Sequence, residues 1–307
     1  MALRGVFEIV HVPFEENGDI DWCSMDRQIE FYHRAGVHGL VVPANASEFY
    51  TLSDDERVAV VEHVRSANAG RLPLVVGVQA PTARAAVRFA EHAAGCDAVA
   101  VMALPPYLRV PTRPVLEDYY SRIASVGLDT IIQNAPGPLG APQSSVVLAE
   151  LLKLHDRVSY LKEETPPILH RISAAISLSG EYCKGVFGGA NGIVMVEELD
   201  RGACGSMPAG GVVDAQVRLY NAYASGDRRR ARERQSRLLP LLFHAATYGV
   251  TLHKHILWRR GVLNTPCVRD PQAIYLDKHD AATADEVLAS IEDLLLPEWP
   301  AQAEPTA

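Results

Sequence analysis

Eight short apolar runs alternate with helical segments along most of this 307-residue chain, and most connections between them are short. The apolar runs lie at residues 6–12, 39–42, 74–78, 98–102, 130–134, 158–163, 182–187 and 203–207. Strands that alternate with helices form parallel sheets, and eight right-handed crossovers in succession close such a sheet into a barrel. The sequence therefore predicts an α/β fold, a (β/α)8 TIM barrel.

A doubly wound open sheet is the alternative fold for the same pattern. Such a sheet usually carries a glycine fingerprint after its first strand, but residues 11–14 (His-Val-Pro-Phe) contain no glycine. Beyond about Asp227 the alternation stops, and residues 228–248, 251–260 and 282–295 are predicted to be helices. We therefore expect the barrel over residues 1–226 and a C-terminal helical extension and tail over residues 227–307, with the tail frayed from Glu298 onward.

The charge and the cysteines of the chain argue against several classes of protein. A net charge of −8 argues against nucleic-acid binding, which usually needs a basic face. The one basic cluster, residues 228–234, is interpreted as a solvated helix face, with a phosphate or partner patch as the alternative. The five cysteines form no CxxC pair and fit a reducing cytoplasm rather than a disulfide framework or a zinc site. With no predicted signal peptide or membrane span, we expect a cytoplasmic protein that binds neither nucleic acid nor membrane.

The stretch from Tyr160 to Pro167 carries the strongest chemical signal. Lys162 lies near the C-terminal end of a predicted strand, and side chains of a strand alternate between its two faces. Tyr160, Lys162 and Glu164 therefore share one face if the strand runs that far. A lysine beside a carboxylate can form a Schiff base with a carbonyl while the acid moves protons. The alternative is an ion pair that only holds the strand ends together.

In a barrel of this type the active site lies at the C-terminal ends of the strands. The residues that this rule brings together are rich in uncharged hydrogen-bonding groups and poor in metal ligands, so no metal is expected. They are His11, Asn45, Ser47, Glu48, Gln79, Tyr107, Gln133, Asn134, Lys162, Glu164, Gly188, Gly189, Ser206 and Met207.

Several stretches, in this order, resemble the dihydrodipicolinate synthase / N-acetylneuraminate lyase family of class I Schiff-base enzymes, over roughly the whole chain. They are residues 44–48 (Ala-Asn-Ala-Ser-Glu), 104–107 (Leu-Pro-Pro-Tyr), 133–136 (Gln-Asn-Ala-Pro) and 160–162 (Tyr-Leu-Lys). The resemblance implies that Lys162 is the Schiff-base nucleophile and that no cofactor is needed. It also implies a small 2-oxo acid as substrate and a homo-oligomer, either a tetramer or a dimer.

Some positions depart from the pattern of the family. Gln133 replaces the proton-relay tyrosine, Leu108 replaces the second tyrosine of a Pro-Tyr-Tyr stretch, and Asn45 and Ala46 replace loop threonines. Pro138 replaces the arginine that binds the substrate carboxylate in the lysine-pathway synthase. A glutamine amide does not titrate near neutral pH, so it can orient a hydroxyl but cannot relay protons. We therefore expect neither dihydrodipicolinate synthesis nor sialic-acid cleavage by the usual relay.

Most of these stretches, together with residues 162–166 and 202–207, resemble the family members that dehydrate L-2-keto-3-deoxyarabonate. Those members also have a glutamine where the aldolases have tyrosine, and a glutamate two residues after the lysine. The resemblance implies a lyase that dehydrates a 2-oxo-3-deoxy sugar acid. A class I aldolase that cleaves or forms a 2-oxo acid with pyruvate is the alternative. A barrel that binds a sugar acid without catalysis is the alternative of another class.

The candidate residues each have a functional and a structural interpretation. Glu164 is the candidate general acid and base beside Lys162, or it only orients that lysine. Gln133 is expected to hydrogen-bond substrate or water, or to pair only with backbone. The candidates for binding substrate are Asn45, Ala46, Ser47, Tyr107, Asn134, Gly188 and Ser206. The first three of these hold the substrate carboxylate or form a capped turn, and Tyr107 is a lid or a subunit contact. We expect structural roles for His11 and Glu48.

Overall fold

The structure of the protein, a computed structural model, describes residues 2–137 and 139–296. Pro138 and the tail predicted from Glu298 onward lie outside the described residues. Eight parallel strands follow one another around a closed barrel, and the last strand pairs with the first, which confirms the predicted (β/α)8 fold. The strands are β1 (Gly5–Ile9), β2 (Gly39–Val42), β3 (Leu74–Gly77), β4 (Ala100–Ala103), β5 (Asp129–Asn134), β6 (Val158–Glu163), β7 (Gly185–Gly188) and β8 (Gly205–Ser206).

A helix follows each strand, and three more helices complete the described chain. None of the helices within the described residues is long and apolar enough to cross a membrane. The helices are α1 (Trp22–Ala35), α2 (Asp54–Asn68), α3 (Ala83–Gly95), α4 (Arg113–Ala124), α5 (Ser145–Leu154), α6 (Ile168–Ser179), α7 (Met195–Asp200), α8 (Val213–Ala224), α9 (Arg228–Tyr248), α10 (Val250–Arg259) and α11 (Lys278–Ser290).

Three strands are shorter than their apolar runs by two residues or more. β1 ends at Ile9, and soon after it the backbone N–H of His11 donates to the side chain of Gln28 instead of a neighbouring strand (2.9 Å). β7 begins only at Gly185, because the residues just before it form a turn of 3-10 helix. β8 has two residues, and a Cβ on Gly205 would overlap the backbone of Gly5. The close approach of β8 to β1 therefore requires glycine at this point.

The core has two layers because side chains alternate across each strand. Residues that point outward, such as Val6 and Leu40, pack against the helices, whereas Phe7 and Val41 point into the barrel. Inside the barrel the ring of Phe7 meets the ring of Phe187 edge to face, with ring centroids 5.4 Å apart. Large apolar side chains thus fill the lower part of the barrel. The polar residues of the candidate site lie above this apolar layer, at the C-terminal end of the barrel.

The helices of the C-terminal extension were predicted with unequal accuracy. α9 and α10 agree with the prediction to within one residue. α11 begins at Lys278 instead of residue 282, because the side chain of Asp277 accepts the backbone N–H groups of His279 and Asp280 and so caps the helix. In the basic cluster on α9, Arg228 pairs with Asp200 of α7. This ion pair fits the interpretation of the cluster as a solvated helix face.

Candidate active site

Lys162 and Glu164 form an ion pair inside the C-terminal end of the barrel. Lys162 lies next to the last residue of β6, is 1% exposed, and its Nζ atom is 3.0 Å from Oε1 of Glu164. Tyr160, two residues earlier on the same face, accepts a hydrogen bond from the backbone of Leu3 at the other end of the barrel. The period of two thus holds from Tyr160 to Glu164, as the sequence predicted.

Gln133 completes this group from the neighbouring strand. It pairs directly with Lys162 in the register of β5 and β6, and its Nε2 donates to Oε2 of Glu164 at 2.8 Å. Each carboxylate oxygen of Glu164 therefore has one donor. The Oε1 atom of Gln133 is buried and has no partner among the described residues. This free acceptor fits a substrate hydroxyl or a water molecule better than the alternative of an amide paired only with backbone.

A cavity of about 280 Å³ opens beside this group. Its lining combines strand ends of the barrel with residues of the C-terminal extension. The size and the few convergent polar groups suit a small polar ligand. Among the described residues, no group of three or more His, Cys, Asp or Glu side chains could hold a metal ion. The lining residues are Ile9, Asn45, Ala46, Tyr50, Gln133, Lys162, Glu164, Ala190, Asn191, Met207, Ala209, Gly249, Val250, His253 and Asp270.

Two adjacent glycines at the end of β7, Gly188 and Gly189, make room for two glutamates. A Cβ on Gly189 would overlap the side chain of Glu164, and a Cβ on Gly188 would overlap the carboxyl group of Glu198. Because Gly189 has no Cβ, the side chain of Glu164 can lie where it contacts both Lys162 and Gln133.

Several predicted binding residues do not line this cavity. Asn134 is on the opposite face of β5 from Gln133, where its Nδ2 donates to Glu163 (2.9 Å). Gly188 and Ser206 lie within β7 and β8 and do not line it either. Of the seven binding candidates, only Asn45 and Ala46 line the cavity.

The remaining two binding candidates, Ser47 and Tyr107, make their contacts outside this cavity. The Ser47 hydroxyl donates to the carbonyl of Val10 at 2.6 Å and accepts from the backbone of Ala44 at 3.0 Å, so it fixes the turn after β2. Tyr107 packs against Phe49, with ring centroids 5.8 Å apart, and borders a different cavity. Ser47 therefore matches the capped-turn interpretation of this loop.

His11 has the structural surroundings that the sequence analysis expected. Its Nδ1–H donates to the carbonyl oxygen of Ala46 at 2.8 Å and so supports the loop after β2. Burial lowers the pKa of His11 well below its ordinary value, which keeps the ring neutral. Its ring meets the ring of His253 edge to face, with centroids 5.5 Å apart.

His253 and Asn191 were not identified as site residues from the sequence. The Oδ1 atom of Asn191 accepts the backbone N–H of Ala209, so its Nδ2 faces the Nε2 of His253 at 3.1 Å. Nε2 of His253 is therefore the acceptor, and the hydrogen-bond pattern assigns the ring proton to Nδ1. Burial lowers the pKa of His253 to about 4, so the ring is neutral at pH 7. Only the three-dimensional packing of α10 brings this ring to the barrel mouth.

Glu198 on α7 is a buried carboxyl group behind the site. Neither of its oxygens has a hydrogen-bond partner among the described residues. Burial, aided by the nearby charge of Glu164, raises the pKa of Glu198 to about 8. The folded protein therefore keeps this group protonated at a pH where the unfolded chain ionises it.

We expect the free energy of unfolding to fall by about 2 kcal/mol between pH 6 and pH 8 because of Glu198 alone. The folded-state pKa is raised, so the stabilisation is fully present below the ordinary carboxyl pKa near 4.5 and is lost as the pH rises through about 8. Urea unfolding at several pH values gives the free energy of unfolding of the wild type and of Glu198→Gln. The slope of this free energy against pH is then compared between the two proteins. Equal slopes for the two proteins would contradict this assignment.

Comparison with known proteins agrees with this architecture. The sequence model of the Dihydrodipicolinate synthetase family matches residues 2–289. The L-2-keto-3-deoxyarabonate dehydratase of Azospirillum brasilense is 30% identical over 274 residues, 87% of this chain and 88% of that protein. A 4-hydroxy-tetrahydrodipicolinate synthase of Rhizobium meliloti (strain 1021) is 30% identical over 297 residues, 93% of this chain and 97% of the relative. The crystal structure of dihydrodipicolinate synthase from Rhodopseudomonas palustris matches with a TM-score of 0.86 at 25% identity, over 94% of this chain and 98% of that one.

Proposed function

Because the chain belongs to the dihydrodipicolinate synthetase family and is a lyase of that family, we propose that it dehydrates a 2-oxo-3-deoxy sugar acid through a Schiff base on Lys162. A compound like L-2-keto-3-deoxyarabonate is the proposed substrate. The observation that carries the proposal is the arrangement of Glu164, which is shared between Lys162 and Gln133 (3.0 and 2.8 Å). The likeness to the Azospirillum brasilense dehydratase supports it.

The proposed reaction begins with formation of the imine. Glu164 takes the proton that the ammonium group of Lys162 must lose, and the free amine adds to the C2 carbonyl of the substrate. Glu164 returns this proton to the hydroxyl of the adduct, which leaves as water, so that Glu164 is again a carboxylate and the protonated imine that remains acidifies the hydrogens on C3. The 3.0 Å separation of Nζ and Oε1 allows the first proton transfer without rearrangement.

Elimination follows from the same two residues. Glu164 removes a proton from C3, and the electron pair of that bond forms the enamine between C2 and C3. The enamine then expels the C4 hydroxyl, which leaves as water with the proton that Glu164 returns to it. Hydrolysis of the imine frees Lys162 and releases a product that has lost one water.

Gln133 favours elimination over carbon–carbon cleavage. Retro-aldol cleavage needs a base that removes the proton of the C4 hydroxyl, which is the task of the tyrosine relay in the aldolases of the family. An amide cannot accept that proton at neutral pH, but it can hold the hydroxyl in place for departure. The Oε1 atom of Gln133 supports this role, because it is a buried acceptor on a residue that lines the cavity and has no donor among the described residues.

We expect the protein to convert at least one 2-oxo-3-deoxy sugar acid to a product lighter by one water. A set of such acids with different chain lengths and stereochemistry is incubated with the enzyme, and the products are identified by mass. Pyruvate and an aldehyde as the main products would favour the aldolase instead. Binding of such an acid without imine formation or product would favour a non-catalytic barrel.

The same preparation assayed with pyruvate and aspartate semialdehyde is a control for the departures from the family pattern. We expect no dihydrodipicolinate synthesis within the usual enzyme range of about 1–10³ s⁻¹. Turnover in that range would contradict the interpretation of Gln133, Leu108 and Pro138.

A further inference from the structure

The cavity beside Lys162 continues outward into a second cavity of about 510 Å³. Gln133, Lys162 and Glu164 line only the inner cavity, whereas the boundary residues line both. A substrate bound to Lys162 through C2 therefore directs the far end of its chain toward this boundary. The boundary residues are Asn45, Tyr50, Gly249, Val250 and Asp270.

Tyr50 and Asp270 are hydrogen-bonded to each other at this boundary. The Tyr50 hydroxyl donates to Oδ2 of Asp270 at 2.9 Å, and Oδ1 of Asp270 accepts the backbone N–H of Gln272 at 2.8 Å. With the donors that the described residues supply, each carboxylate oxygen keeps one free lone pair, and so does the Tyr50 oxygen. Burial raises the pKa of Tyr50, so its hydroxyl stays protonated. The pair therefore presents hydrogen-bond acceptors and one negative charge to a ligand.

A fully buried ion pair fixes the position of Asp270. Lys254 of α10 donates to Oε1 of Glu48 at 2.5 Å, and both side chains have no exposed surface. The other oxygen of Glu48 accepts the backbone N–H groups of Arg269 and Asp270 at 2.6 and 2.7 Å. Because this carboxylate holds the backbone on both sides of the peptide, Asp270 is preorganised before a ligand binds.

At the boundary between the two cavities, the negative charge of Asp270 has no cation beside it among the described lining residues. Among the described residues that line either cavity, Lys162 is the only cation, and it lies beside Glu164 in the inner part. An anionic group at the far end of a substrate would meet Asp270 with no compensating cation. A hydroxyl at the same place can donate to Asp270 or Tyr50.

We propose that Tyr50 and Asp270 determine substrate specificity by accepting hydrogen bonds from the distal hydroxyl groups of a 2-oxo-3-deoxy acid and by rejecting chains that end in an anion. This inference rests on the proposed function, because it assumes a substrate attached at Lys162. It names the class of substrate more narrowly: a polyhydroxy acid with an uncharged end, rather than a phosphorylated acid or a diacid. Tyr50 and Asp270 are half-buried, and an apolar chain end would displace water from their remaining acceptor sites without supplying a donor, which also disfavours such a chain end.

The test compares two substrates of equal chain length, one ending in a hydroxymethyl group and one in a carboxylate. We expect the wild type to prefer the hydroxymethyl compound in kcat/KM, and Asp270→Asn to reduce that preference by about 10- to 100-fold. Tyr50→Phe should lower kcat/KM for the hydroxymethyl compound while the carboxylate compound stays disfavoured, because the charge of Asp270 remains. Asp97→Asn, the same chemical change at an exposed residue that lines neither cavity, is the matched control and should keep the wild-type preference.

The outcomes separate this inference from the proposed function. Borohydride trapping with pyruvate, which has no distal end, reports whether each variant keeps a folded inner cavity. A trapping-competent Asp270→Asn with the wild-type preference would overturn the specificity role of this residue. If the wild type cleaves both substrates to pyruvate, dehydration is refuted. If Asp270→Asn also loses the substrate preference of that wild type, the specificity role of Tyr50 and Asp270 still holds.

Discussion

Replacement of Lys162 by alanine is expected to abolish imine formation and to lower turnover by roughly 10⁴–10⁶-fold. The side chain is almost completely buried, and no other lysine among the described residues lines the inner cavity. Without the amine, C2 cannot become an imine and the C3 hydrogens keep their low acidity. Borohydride reduction in the presence of pyruvate or a substrate, followed by peptide mass analysis, measures the loss of the adduct.

Lys184→Ala is the control for this experiment. Lys184 also belongs to an ion pair, with Asp129 at 2.8 Å, but its side chain is 43% exposed and does not line the cavity. This variant should form the adduct on the peptide that carries Lys162. An adduct that persists in Lys162→Ala, or turnover near the wild-type rate, would mean that another group is the nucleophile.

The second large effect is expected for Glu164→Gln, which should lower kcat by roughly 10²–10⁴-fold, while borohydride still traps the imine because water can take the proton of Lys162 during the longer incubation. The carboxylate accepts from both Lys162 and Gln133, and an amide can accept with only one of its two terminal atoms. The substitution therefore removes the base that takes the C3 proton and nearly preserves the shape of the side chain. Steady-state rates and borohydride trapping, measured on the same preparation, separate the two steps.

Glu163→Gln is the matched control, one residue earlier and on the opposite face of β6. Glu163 accepts hydrogen bonds from Asn134 and from the backbone of Thr165, and it does not line the cavity. We expect its effect on kcat to stay below about tenfold. If both substitutions cost the same, or if Glu164→Gln costs less than tenfold, Glu164 is only an ion-pair partner of Lys162.

The fold and the centre of the site follow from local patterns in the sequence. Strand-like runs and their spacing predict the barrel, and the alternation of side chains correctly puts Lys162 and Glu164 on one face. The same rule, applied consistently, separates Asn134 from Gln133, because adjacent residues of a strand face opposite sides. The prediction of Asn134 as a binding residue used strand ends alone and left this alternation out.

The outer part of the site could not be predicted in this way. Tyr50 and Asp270 are 220 residues apart along the chain, and Lys254 and Glu48 are 206 residues apart. No local period links such positions, and only the packing of α10 and the segment after it against the barrel mouth brings them together. His253 also lies on α10, and the same packing brings it to the cavity.

The buried pair of Lys254 and Glu48 joins two regions of the chain that have different proposed tasks. One region carries the chemistry, and the other carries the choice of substrate. The residues proposed to act on C2 to C4 lie on β5 and at the end of β6, whereas Asp270 lies in the C-terminal extension and is held in place by this pair. With the proposed roles, changes after α9 are expected to alter the choice of substrate while the proposed reacting residues stay unchanged. For protein engineering, we expect exchange of the segment from Gly249 to Ile274 together with residue 50 between relatives, with Glu48 and Lys254 kept, to transfer substrate choice while the proposed reacting residues stay unchanged.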